Sequence, residues 1–154
     1  MINISIKDLA HYQKTFSEAI KFPMSMKTAE MMEKFLKETD QKVKKAMEDF
    51  QFEEKKQAII KKMWEELDNK FKDAVDKNEV DASDEKAVKE FKEKLQQEIA
   101  WTWASKEEQD LINDFYALTI MVEPIDYVVD ERLPGIFNIS MRDDTSGLIN
   151  YKKK

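Results

Sequence analysis

From Met26 to about Val75 the chain runs fifty residues without a glycine or a proline. Within that run apolar residues recur at spacings of three and four, the signature of helices with one buried face. Met32, Phe35, Thr39, Val43, Ala46 and Phe50 make one stripe, and Ile60, Met63, Trp64, Leu67, Phe71 and Val75 make a second. The two do not join cleanly across residues 51–56. The pattern therefore fits either one long helix with a stutter or two helices with a hinge. Glu33 with Lys37 and Glu38 with Lys42 are spaced to add a few tenths of a kcal/mol per pair. Only 2 Gly and 3 Pro occur in all 154 residues, which leaves little room for long loops.

The flanks are shorter and mixed. Ile2, Ile4 and Ile6 alternate with polar residues and read as a half-buried strand leading into a helix with Leu9, Tyr12, Phe16 and Ile20 on one face. Phe22-Pro23 ends that helix, and Ser25 is placed to cap the next. Residues 76–83 read as an acidic turn. Ser83 then caps a helix whose apolar face is Val88, Phe91 and Leu95, folding back antiparallel on its predecessor. Ile99, Trp101 and Trp103 alternate, so residues 98–103 read as a second strand able to pair with residues 2–6. Ser105-Lys106-Glu107-Glu108 resembles a capping box before Leu111, Ile112 and Phe115. Leu118–Val122 reads as a strand or a buried helix end, and Ser140–Asp143 as a weaker cap before Leu148 and Tyr151. The fold class expected is α-dominated α+β: a long helical hairpin with a small sheet formed by the N-terminal strand and a strand near 98–103. It is read as a single domain over residues 1–154, with a helical body at about 7–97 and a C-terminal mixed segment at about 98–154.

Catalytic and metal-binding signals are weak. There is no Cys, so no disulfide and no thiolate metal site. His11 is the single histidine, lies one position off an apolar face, and reads as an ordinary surface residue. One histidine also rules out a paired Glu-x-x-His metal site in a bundle. The turn at residues 76–81 has oxygen ligands but neither the glycine nor the spacing of a calcium loop. Gly135 and Gly147 are too few and too far apart for a phosphate-cradling loop. The expectation is a non-enzyme with no catalytic residues, no metal and no cofactor.

Charge narrows the partners. Charged residues are 38% of the chain and the net charge is −6. Residues 25–80 carry 13 lysines against 14 acids, whereas residues 81–131 carry 5 against 14. Arg132 and Arg142 are the only arginines, and no basic footprint for nucleic acid is visible. No apolar run has the length of a membrane span, and residues 1–6 lack the basic and apolar regions of a leader, so a cytoplasmic location is expected. Trp101 with Trp103, and Met31 with Met32, are the candidate binding residues. Tryptophan is enriched at binding hot spots and methionine at adaptable surfaces, although both clusters read first as core.

The order of elements, together with Lys86 to Ile99 (KAVKEFKEKLQQEI), Glu123-Pro124-Ile125 and the stretch from Ile139-Ser140 to Tyr151, resembles a family of small tailed-phage proteins defined only as a domain of unknown function. The resemblance covers most of the chain in outline. It implies a phage origin, a final short helix and a role in the infected bacterial cytoplasm, and it supplies no catalytic residues. The function expected is a phage-encoded protein–protein interaction module whose partner is a host or phage protein, and which binds and inhibits or modulates a host protein such as a defence protein. Two alternatives stand beside it. One is a virion or assembly component that self-associates through the stripe from Met32 to Val75; the other is an acidic nucleic-acid mimic, which requires the acidic residues of 81–131 to form one face.

Overall fold

In a computed structural model, which describes residues 1–153, the chain forms β1 (Ile2–Ser5), α1 (Ile6–Ala19), α2 (Met26–Phe50), α3 (Phe52–Asp76) and α4 (Glu85–Trp103). A π-helical turn (Ala104–Glu108) follows, then α5 (Gln109–Ala117), β2 (Thr119–Val122), β3 (Ile125–Val128), α6 (Gly135–Arg142) and β4 (Ile149–Lys152). Helices dominate and the strands are short, so the α-dominated α+β class holds. The chain divides into two compact units. One joins Met1–Phe50 to the chain from Phe115 onward, and the other is Gln51–Asp114. No boundary falls near residue 98, because α4 runs through it.

The first unit starts from the alternation at its N-terminus. Ile4 is buried while Asn3 points to solvent, and Ser5 ends the strand by capping α1, its Oγ accepting from Asp8 N–H at 3.1 Å. Leu9, Phe16 and Ala19 then fall on one face of α1 and are fully buried, together with Met32 of α2. Phe16 and Phe35 meet edge to face with centroids 4.9 Å apart. β1 pairs antiparallel with β2, Ile2 opposite Val122 and Ile4 opposite Ile120. β3 and β4 pair in parallel, Ile125 opposite Ile149 and Tyr127 opposite Tyr151. A parallel pair needs a long crossover, and α6 supplies it, burying Phe137 and Met141.

A buried carboxylate ties this unit together. Asp130, 7% exposed, accepts from the Ser25 backbone N–H at 2.8 Å and from the Arg132 N–H at 3.0 Å. Ser25 is the cap expected for α2, its Oγ accepting from Thr28 N–H at 3.2 Å. Asp130 thus places a negative charge at the positive end of α2. Burial pushes its carboxyl up, but the donors from Ser25, Arg132 and Thr28 outweigh burial and hold it below its ordinary value. Asn138 of α6 donates to the Asp130 carbonyl at 3.0 Å and accepts the Tyr127 hydroxyl, whose own pKa burial pushes up to about 12.

The second unit is the expected antiparallel hairpin of α3 and α4. Phe71 and Phe91 face each other at 6.2 Å near its turn, and Lys92 Nζ lies 4.4 Å from the Phe71 ring centre. The turn follows from Asn78, whose φ of 59° is left-handed. Glu79 N–H donates to the Ala74 carbonyl and Asn78 N–H to that of Val75, the bond pair of a Schellman motif with Asn in the left-handed position. The cap of α4 is Asp84, not Ser83: Asp84 Oδ1 accepts from Ala87 N–H at 3.2 Å, while Ser83 hydrogen-bonds back to Asp81.

The long run of residues 26–75 is two helices. The break is one residue, Gln51, with φ 58° and ψ 46°. A left-handed residue resets the helical phase, which is why the two apolar stripes do not join. A side chain there costs about 1 kcal/mol that glycine avoids, so Gln51→Gly should raise stability by about 0.5–1 kcal/mol in urea unfolding. A decrease would mean that the break is held by the Gln51 side chain. Of the stripe residues, Met32, Phe35 and Thr39 are buried in the first unit and Leu67 in the second.

Three expectations are corrected. Residues 98–103 are not a strand, and the partner of the N-terminal strand is β2. Ile99 and Trp103 are also four apart, and with Phe91 and Leu95 they continue the face of α4, on which Ile99 is 3% exposed. With no glycine or proline to stop it, the helix simply runs on. Ser105 caps nothing; it lies in the π-helical turn and donates to the Thr102 carbonyl at 3.2 Å. The final short helix implied by the resemblance is instead the end of α6 followed by β4.

Candidate functional site

In a helix, positions two apart point to opposite sides. Trp101 and Trp103 therefore do not share the face that a strand would have given them. Trp103 turns toward α3 and is half-buried, its Nε1–H donating to Glu66 Oε2 at 2.7 Å. Lys70 Nζ lies 3.2 Å from the same carboxyl group. The Trp103 hydrogen bond, then Lys70, holds Glu66 below its ordinary pKa. Trp103→Phe removes the leading cause, so Glu66 should titrate at higher pH, read from its side-chain carbon shifts by NMR. An unchanged midpoint would contradict this assignment. Because the folded pKa is depressed, this pair contributes stability above the ordinary glutamate range and loses it as pH falls through the folded value; exposure of both charges keeps that contribution small.

Trp101 points the other way and is 76% exposed. Gln97, Glu98 and Ser105 lie three or four residues from it and are exposed as well. The π-helical turn begins three residues beyond Trp101, and such turns are frequent at functional sites. Trp64, on α3 of the same unit, is 44% exposed. An indole is the largest apolar side chain, and an isolated helix face of charged and amide groups gives it nothing to pack against.

Met31 and Met32 belong to the first unit's core. Met32 has no exposed surface and Met31 packs partly buried against the same cluster. The helical stripe buries Met32, so it presents no adaptable surface, and Met31 packs against the same core. Met26, six residues before Met32, is exposed instead.

The first unit also holds a polar recess of about 180 Å³, lined among others by His11, Tyr12, Thr15, Ser140, Asp143 and Asp144. Its groups are largely engaged in holding the chain. Thr15 Oγ1 donates to the His11 carbonyl and Ser140 Oγ to that of Ile136. Asp144 accepts from the Ser146 N–H and hydroxyl and from the Ile149 N–H, and Arg142 Nε lies 3.1 Å from Asp143. Neither hydroxyl is set against the imidazole as a nucleophile would be. Among the described residues no three His, Asp or Glu side chains gather as metal ligands, and no helix is long and apolar enough to cross a membrane.

The chain thus belongs, by fold, to the α-dominated α+β proteins, with an exposed tryptophan on a helical hairpin as its most distinctive surface group. It matches no protein-family model, no curated protein and no solved structure.

Proposed function

We propose that the protein is an interaction module that engages a partner protein through the outer face of α4, with Trp101 as the anchor, and modulates that partner by occupying it. The observation that carries this is the 76% exposure of Trp101 on a helix whose opposite side is packed. An indole offers about 150–250 Å². Covering most of it, at about 25 cal/mol per Å², contributes roughly 3–4 kcal/mol to association. Tryptophans enclosed at the centre of an interface are the commonest hot spots. The resemblance to small tailed-phage proteins makes a bacterial host protein the expected target.

The test is affinity capture from bacterial lysate at roughly 0.15 M salt, where exposed charge contacts are screened beyond about 8 Å, with the wild-type chain and Trp101→Ala side by side. One stoichiometric protein retained by the wild type and reduced at least tenfold by the variant is expected. The variant's circular dichroism and unfolding midpoint should stay within about 0.5 kcal/mol of wild type, as for other exposed positions. Equal capture by both proteins would remove Trp101 from the account.

A further inference from the structure

The two units differ sharply in charge. Residues 51–114 carry 18 acids and 12 lysines, whereas the rest of the chain carries 14 acids and 14 basic residues. The entire formal net charge of −6 therefore resides on the second unit, half of it on residues 51–103 with the α3–α4 hairpin and half on residues 104–114 beyond it. The acidic stretch of residues 81–131 is divided in the same way, ten of its acids lying in the second unit and four in the other. On the outer face of α4, Glu90 and Glu98 fall with Trp101 at helical spacing, and both are exposed. Lys86 and Lys94 share that face. The preference for a cation thus comes from the field of the whole unit and from the indole itself, rather than from a local cluster of carboxylates.

An exposed indole within an anionic unit suits one kind of partner. The face of the tryptophan ring attracts guanidinium and ammonium groups more strongly than do other aromatic rings. The surrounding negative field raises the local concentration of such groups and speeds their encounter. An acidic partner would meet repulsion, and a purely apolar one would leave the charged flanks of the indole desolvated without compensation.

We propose that the Trp101 face of the hairpin binds an arginine- or lysine-rich segment of its protein partner, a cationic side chain stacking on the indole while the unit's net negative charge holds the segment. This rests on the interaction-module reading above and adds the chemistry of the partner.

The test uses the full chain and four labelled synthetic peptides: arginine-rich, lysine-rich, glutamate-rich, and uncharged apolar. Binding is followed by fluorescence anisotropy for wild type, Trp101→Phe and Trp101→Ala. The arginine-rich peptide should bind most tightly and the lysine-rich one next. Trp101→Ala should weaken both about fivefold or more, with Trp101→Phe between the two. Affinity should fall about tenfold between roughly 0.05 and 0.3 M salt. Basic peptides that fail to bind, or that bind wild type and Trp101→Ala equally, would overturn the proposal. If the apolar or glutamate-rich peptide instead binds in a Trp101-dependent way, the basic partner is wrong and the interaction module survives. If no peptide class shows Trp101-dependent binding, the basic-segment proposal falls, while the interaction module stands or falls separately on the lysate capture with wild type and Trp101→Ala.

Discussion

Phe16→Ala is expected to destabilise the protein by about 3–5 kcal/mol, the range for deleting a buried ring from a close-packed core. Phe16 has no exposed surface, and its edge-to-face contact with Phe35 joins α1 to α2. The same cluster contains Leu9, Met32, Val122 and Met141, from both ends of the chain. The cavity left behind cannot be filled by neighbours that are already packed against one another on a helix and a strand. Because whole domains are stable by only about 5–15 kcal/mol, the variant should show a much lower urea midpoint by circular dichroism. Trp64, Trp101 and Trp103 all lie in the hairpin unit, so tryptophan emission follows that unit and dichroism follows both. A loss below about 1.5 kcal/mol, the level of volume-conserving changes, would show that the ring does not occupy a tight core.

Asp130→Ala should cost about 2–4 kcal/mol. It leaves the Ser25 and Arg132 N–H groups without their acceptor and removes the anion from the start of α2. Asp130→Asn separates charge from shape. The folded carboxyl is held below its ordinary value, so the unfolded chain takes up its proton first as pH falls. The stability that Asp130 supplies is therefore complete above the ordinary aspartate range, near 3.9, and disappears as pH drops through the lower folded value. Urea midpoints measured from neutral to acidic pH should fall less steeply for Asp130→Asn than for wild type. Parallel curves would mean that the buried carboxylate does not drive the acid response.

What could be read from the sequence was local. The alternation of Ile2, Ile4 and Ile6, the stop at Pro23, the cap at Ser25 and the apolar faces of α1 to α4 are set by residues within one or two turns of each other, and each was legible. The phase slip between the stripes located the break near Gln51, but nothing chemical marks a glutamine as left-handed. Residues 98–103 misled because Ile99, Trp101 and Trp103 satisfy a period of two, while Ile99 and Trp103 also satisfy a period of four; only the run from Val88 decides between them. Asp130 was illegible as a cap, since its partner Ser25 lies 105 residues away. It looked like one more acid in a charged stretch. The parallel pairing of β3 with β4 is likewise set by tertiary packing around α6. Of the four candidate binding residues, Met32 is fully buried, Met31 is partly buried against the same core, Trp103 is turned inward to Glu66, and Trp101 is exposed. The sequence could flag tryptophans but not their sides, because the side depends on whether the segment is strand or helix.

A partner protein that meets the outer face of α4 around Trp101 must come within reach of a crosslinker placed on that face. A photo-crosslinking residue placed at Ser105, which is exposed and one turn from Trp101, probes that face with the indole intact. The control carries the same group at Lys44 on α2, whose side chain is 74% exposed. Irradiation in bacterial lysate should give a single protein adduct at position 105, lost when Trp101→Ala is added, and no such adduct at position 44. An adduct at 105 that survives Trp101→Ala, or the same adduct from both positions, would contradict the account.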